Sequence, residues 1–165
     1  WVRGYISTAF VCPYEGRIAP EAVKPIVERL LEMGVDEISL GDTIGAAVPT
    51  QIEQLTDALE PILPKERWAY HFHNTYGTAL ANVLTALQRG ITIFDSSAGG
   101  LGGCPFAPGA SGNLATEDLL YMLHGMGIET GVSLEKVVAA AQYILGHLNR
   151  ATPPSHYLQA CQCGR

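Results

Sequence analysis

No cluster of Lys or Arg longer than a pair occurs in this sequence, and its formal net charge is −6. Nucleic acid and anionic membrane surfaces are therefore not expected partners. No apolar run approaches the roughly 20 residues of a spanning helix, and the N-terminus lacks the charged-then-apolar pattern of a secretory signal. The expectation is a soluble, intracellular protein. The four cysteines, Cys12, Cys104, Cys161 and Cys163, form no Cys-x-x-Cys pair. Neither a zinc knuckle nor a dense disulfide framework is signalled, and reduced thiols are expected. The first strand is not followed by Gly-x-Gly-x-x-Gly, the mark of a dinucleotide-binding first turn.

What the chain has is apolar material for one sizeable core, 47% of 165 residues, arranged in a regular alternation. Strands are predicted at Val2 to Ser7, Val35 to Leu40, Trp68 to His73 and Ile91 to Phe94. Helices are predicted over Pro20 to Met33, closed by Gly34, and over Pro49 to Leu63, ended by Pro64. Two more run over Thr78 to Gln88 and Thr116 to Met126, and a last one over Ser133 to Leu148. Residues 1–150 read as one α/β domain and residues 151–165 as a polar tail, in which Cys161 and Cys163 would be accessible.

A fourfold strand-helix rhythm of roughly thirty residues implies parallel strands joined by crossover helices. Polar residues gather at the C-terminal ends of the predicted strands: Asp42-Thr43, His71-Phe72-His73-Asn74-Thr75 and Asp95-Ser96-Ser97. That edge carries the chemistry of a TIM (β/α)8 barrel. Four units are half of such a barrel, so the fold class expected is the C-terminal half of one. On a strand, residues two apart project to the same side, so His71 and His73 aim at one point. Two imidazoles beside the Gly- and Pro-rich loop 99–112, which carries Cys104 and leads to Asn113, form a candidate divalent-metal and acid/base site. That loop is expected to be the least ordered part of the site.

Three segments make the reading specific: Glu37-Ile38-Ser39-Leu40-Gly41-Asp42-Thr43-Ile44-Gly45, His71 through Gly77, and Gly102-Gly103-Cys104-Pro105 running on through Ser111-Gly112-Asn113 to Glu117-Asp118. Together they closely resemble the 3-hydroxy-3-methylglutaryl-CoA lyase family, in order and spacing, from Val2 to Cys161. Related synthases of the metal-dependent aldolase-like barrel group share the His-x-His and Gly-Asn elements but lack the Gly-Gly-Cys-Pro loop.

The resemblance implies a divalent cation, Mg²⁺ or Mn²⁺, on His71, His73 and Asn113, and an acyl-CoA substrate cleaved to acetyl-CoA and acetoacetate. It gives catalytic roles to Cys104, to His71 as a proton-transfer residue and to Asp42, whose alternative is capping of the Thr43 turn. Gly102 and Gly103 become loop hinges, and Glu117 a first-turn carboxylate near loop and substrate. The family's fourth ligand and its arginine lie on a first strand that this sequence does not contain; Arg3 sits on a different strand. Asn74 replaces the usual aspartate. Cys161 matches a family cysteine associated with inter-subunit disulfides, and the full-length form is expected to be a homo-oligomer. The compartment implied is the cytoplasm for a bacterial-type protein and the mitochondrial matrix for a eukaryotic one. The competing readings are a non-catalytic fragment or assembly partner, and a related synthase.

Overall fold

The computed structural model describes residues 1–103, 112–148 and 153–163. The expectations placed on Cys104 and on residues 104–111 lie outside the described residues. Four parallel strands form the sheet in the order β1 (Arg3–Ile6), β4 (Glu37–Asp42), β5 (Trp68–Phe72), β6 (Ile93–Asp95). Crossovers through α1 (Pro20–Glu32), α2 (Pro49–Leu59) and α3 (Ala79–Gln88) connect them, with α4 (Thr116–Gly125) and α5 (Leu134–His147) following. The arrangement matches a partial barrel.

Register explains how the sheet divides its labour. Gly41 pairs with His71 and His71 with Asp95, while Leu40 pairs with Tyr70 and Asp42 with Phe72. Partners in a parallel ladder share a face, so Ile38, Leu40, Trp68, Tyr70 and Phe72 lie together on one side. All five are buried, in one core with Val23 and Val27 of α1, Ile52, Leu55 and Leu59 of α2, and Val83 of α3. The Trp68, Tyr70 and Phe72 rings follow one another at centroid spacings of 5.8 and 5.1 Å. The Tyr70 hydroxyl lies 3.2 Å from Thr56 Oγ1, which spares it an unpaired burial. The opposite face carries Arg3, Tyr5, Glu37, Ser39, His71 and Asp95: it is the polar one.

Three elements depart from the sequence reading. The helix predicted to run to Leu63 stops at Leu59, capped by Glu60, because Pro61 has no N–H to continue the ladder. A short antiparallel hairpin, β2 (Val11–Cys12) with β3 (Gly16–Arg17), follows β1. The expected polar tail contains a helix, α6 (His156–Cys163), packed on α4.

That helix is held by a side chain remote in sequence. The buried Asp118 carboxylate accepts hydrogen bonds from Ser155 Oγ at 2.7 Å, His156 N at 3.1 Å and Tyr157 N at 2.8 Å, at the positive end of α6. Leu158, 2% exposed, anchors its apolar side. Asp118→Ala leaves those donors without a partner and is expected to weaken α6 docking by about 2–3 kcal/mol. Amide hydrogen exchange reads the effect: protection in residues 156–161 falls while the β4 and β5 amides keep theirs.

Candidate metal and acid/base site

His71 stands on the polar face of β5, and His73 lies just past that strand, so both imidazoles reach the C-terminal edge of the sheet. Their ring centroids are 5.2 Å apart. The chain returning from the glycine-rich loop zips onto the same strand end. Asn74 N donates to Gly112 O, Leu114 N donates to Phe72 O, and His73 and Asn113 face each other in an isolated bridge. His71 and His73 thus come together, as strand periodicity predicts, and the Asn113 backbone bridges to His73 beside them.

The loop is fitted closely around Asn113. Its Nδ2 donates to Leu101 O at 2.8 Å, which leaves Oδ1 as the free acceptor of the carboxamide. A Cβ on Gly102 would sit 2.6 Å from that Nδ2, and one on Gly112 would collide with Gly100 O. Both glycines have positive φ, 96° and 58°, so the approach needs residues without a side chain. Gly103 is exposed at the end of the described loop segment.

Two atoms in this volume are buried without any hydrogen-bond partner: His73 Nδ1 and Asn113 Oδ1. Orphaned buried acceptors of this kind call for a ligand. Burial pushes the His73 imidazole down to about 4, and the neighbouring His71 adds to the effect, so the ring is neutral near pH 7 with a lone pair to give. A cavity of about 220 Å³ opens beside the histidines, lined by Tyr5, Ser7, Gly41, Thr43, His71 and His73 among others. Neutral imidazole nitrogen and carboxamide oxygen suit a divalent cation of the Mg²⁺ or Mn²⁺ kind. Among the described residues no three His, Cys, Asp or Glu side chains form a metal-holding group, so these donors would need completing from elsewhere.

The remaining sequence candidates take other places. Asp42 lies on the core face of β4, and its carboxylate oxygens accept the N–H groups of Ala46 at 3.0 Å and Ala47 at 3.1 Å. This is the geometry of the capping alternative, and it accounts for both Asp42 oxygens in the described structure. Burial drives the Asp42 carboxyl up to about 6 against the opposing pull of those backbone donors. Asp42→Ala orphans two amides and is expected to lower stability by about 2 kcal/mol, measured by urea denaturation without substrate.

Glu117 is 0% exposed and receives Gly99 N–H on its two oxygens at 2.8 and 3.0 Å. In this structure it pins the base of the loop through Gly99. Burial also raises its carboxyl above the usual range. Asn74 turns its Oδ1 to Ala79 N at 3.2 Å, so in this chain it steadies the start of α3. Cys161 is exposed and unpaired.

Sequence reasoning left Asp95 without a role. It faces His71 across one ladder step, with Oδ2 3.4 Å from Nδ1. Burial works to raise the Asp95 carboxyl, but contacts with His71 and Arg3 outweigh it and hold the group below the usual carboxylate range. Arg3 also pairs with Glu37. The signal was available: Asp95 closes its strand on the same edge as the histidines.

Comparison with known proteins agrees with this architecture. The HMGL-like family model matches residues 3–144. Hydroxymethylglutaryl-CoA lyase of Bacillus subtilis is 56% identical over 151 residues, which are 92% of this chain and 50% of that protein. The crystal structure of the Bacillus subtilis HMG-CoA lyase superposes with a TM-score of 0.92 at 54% identity, over 97% of this chain and 53% of the other. An Acinetobacter baumannii HMG-CoA lyase, solved with coenzyme A and 3-methylmalate, gives 0.90 at 40% identity, over 96% of this chain and 52% of that one. The chain spans about half the length of the curated relatives it matches. Sequence segments, parallel half-barrel and relatives all lead to one assignment: the chain belongs to the HMGL-like family.

Proposed function

We propose that this chain contributes the metal-binding half of a lyase that cleaves 3-hydroxy-3-methylglutaryl-CoA to acetyl-CoA and acetoacetate. The observation that carries the reading is the pair of buried, unpartnered acceptors, His73 Nδ1 and Asn113 Oδ1, set beside His71 at the C-terminal edge of a parallel half-barrel. His71, His73 and Asn113 would hold the cation. When bound there, it supplies Lewis-acid polarisation of the carbonyl and hydroxyl oxygens of the acyl-CoA.

The reaction is a retro-Claisen cleavage. The tertiary hydroxyl loses its proton, the carbon–carbon bond breaks to leave a ketone, and the acetyl-CoA enolate gains a proton. A histidine that binds a cation through one nitrogen moves protons only through its surroundings, and the carboxylate facing His71 is Asp95. Cys104 is the proposed acid that returns a proton to the enolate; a thiol between glycine and proline on a loop can approach a substrate closely. An acyl-CoA ligand is supported by the coenzyme A bound in the Acinetobacter relative.

The test is direct product analysis. A full barrel carrying this sequence is expected to release acetoacetate from the acyl-CoA with Mg²⁺ or Mn²⁺ and to stop when chelator is added. Net condensation of acetyl-CoA with a 2-oxo acid would assign it to the synthases instead. Among the described residues no helix is long and apolar enough to cross a membrane.

A further inference from the structure

The polar face of the sheet carries a cluster that the reaction above does not need as ligands. Asp95 is contacted from three strands. Arg3 Nη1 of β1 donates to its Oδ1 at 2.6 Å, Ser39 Oγ of β4 donates to its Oδ2 at 3.3 Å, and His71 Nδ1 of β5 lies 3.4 Å from the same Oδ2. Arg3 is itself steadied by Glu37 on the next strand. One carboxylate oxygen is thus occupied by a guanidinium, and the other is turned toward an imidazole.

This distribution has a consequence for His71. A neutral imidazole carries its hydrogen on one nitrogen only, and a carboxylate accepts but cannot donate. With Oδ2 3.4 Å from Nδ1, a long electrostatic contact, the carboxylate favours the hydrogen on Nδ1. Nε2 is then the lone-pair nitrogen of the ring, on its far side from Asp95. Ring orientation and tautomer are set together, and Arg3 and Ser39 keep the carboxylate from swinging away. The arrangement rests on three adjacent strands and not on the loop.

We propose that Asp95, clamped by Arg3 and Ser39, is the positioning residue that locks His71 in the Nδ1–H tautomer with Nε2 presented as a cation ligand. The inference rests on the metal-binding reading for the use of Nε2, but the tautomer itself needs no metal. Glu37 acts one step further out, through Arg3.

Two measurements on the 165-residue chain separate the claims. Nitrogen-15 NMR of the metal-free protein reads the His71 tautomer, with its signals assigned by their loss in His71→Gln. Mn²⁺ titration reads affinity. The wild type is expected to show Nδ1–H. Asp95→Ala is expected to shift His71 toward Nε2–H and to weaken Mn²⁺ binding about 10- to 100-fold. Asp95→Asn keeps one acceptor oxygen, should fall between the two, and takes the place of the alanine variant if that fails to fold. A wild-type Nε2–H tautomer, or variants that leave tautomer and affinity as they were, overturns the proposal. A tautomer shift in a protein that binds no Mn²⁺ upholds the positioning role and rejects the metal reading.

Discussion

Replacing His73 by alanine is expected to weaken Mn²⁺ binding by more than about a hundredfold and to abolish metal-dependent turnover in any barrel containing this chain. Loss of an outer partner of a ligand already costs about 10- to 100-fold, and here a donor itself is removed. The substitution also widens the 220 Å³ cavity beside His71 and leaves Asn113 Oδ1 alone as a buried acceptor. Stability is expected to change in the other direction from a core truncation. His73 is held neutral by burial, and its Nδ1 has no partner, so removing it relieves an unsatisfied group. A calorimetric Mn²⁺ titration paired with a metal-free thermal melt checks both halves. Retained tight binding would remove His73 from the ligand set, and a large drop in the metal-free melting temperature would mark it as a packing residue.

The division between what sequence could and could not reveal follows from how far apart the interacting residues lie. The parallel strands and their order of succession were readable because hydrophobic period is local, and so was the meeting of His71 and His73, two residues apart at a strand end. The end of α2 was also local but was misread: Pro61 was passed over in favour of Pro64. Asp42 shows a different limit. A strand-end aspartate reads equally as a catalytic group or as a turn cap, and only the structure shows its oxygens accepting from Ala46 and Ala47 on the face of Leu40, opposite His71. The C-terminal helix was hidden for a third reason. Its cap comes from Asp118, 37 residues before Ser155, and no local signal reports a cap supplied from another helix. Asp95 belongs with these, since its partners Arg3 and Ser39 lie 92 and 56 residues away.

Assayed alone, the 165-residue polypeptide is expected to cleave the acyl-CoA at least about a thousandfold more slowly than the Bacillus subtilis lyase measured beside it, whatever its metal occupancy. The sheet described here ends at β1 on one side and β6 on the other, and in a closed barrel neither edge is free. The polar face that would line a barrel interior is open: Tyr5, beside Ser39 in the register, is 59% exposed. Water at that face weakens every electrostatic interaction on which enolate stabilisation depends. On the proposed reading the described side chains would supply His71, His73 and Asn113 as three donors for a cation. Arg3, which pairs with Asp95 beside His71, is committed to Glu37 and Asp95 and cannot also face a developing enolate. Loss of one preorganised charge-stabilising donor costs about 10²- to 10³-fold in rate, and an incomplete metal shell and an unshielded site act in the same direction. Adding a separately expressed N-terminal half, able to pair with β1 and β6, is expected to restore part of the rate. Metal-dependent acetoacetate release by the chain alone at a rate near that of the Bacillus enzyme would show that the donors and charges needed for cleavage all reside within these 165 residues.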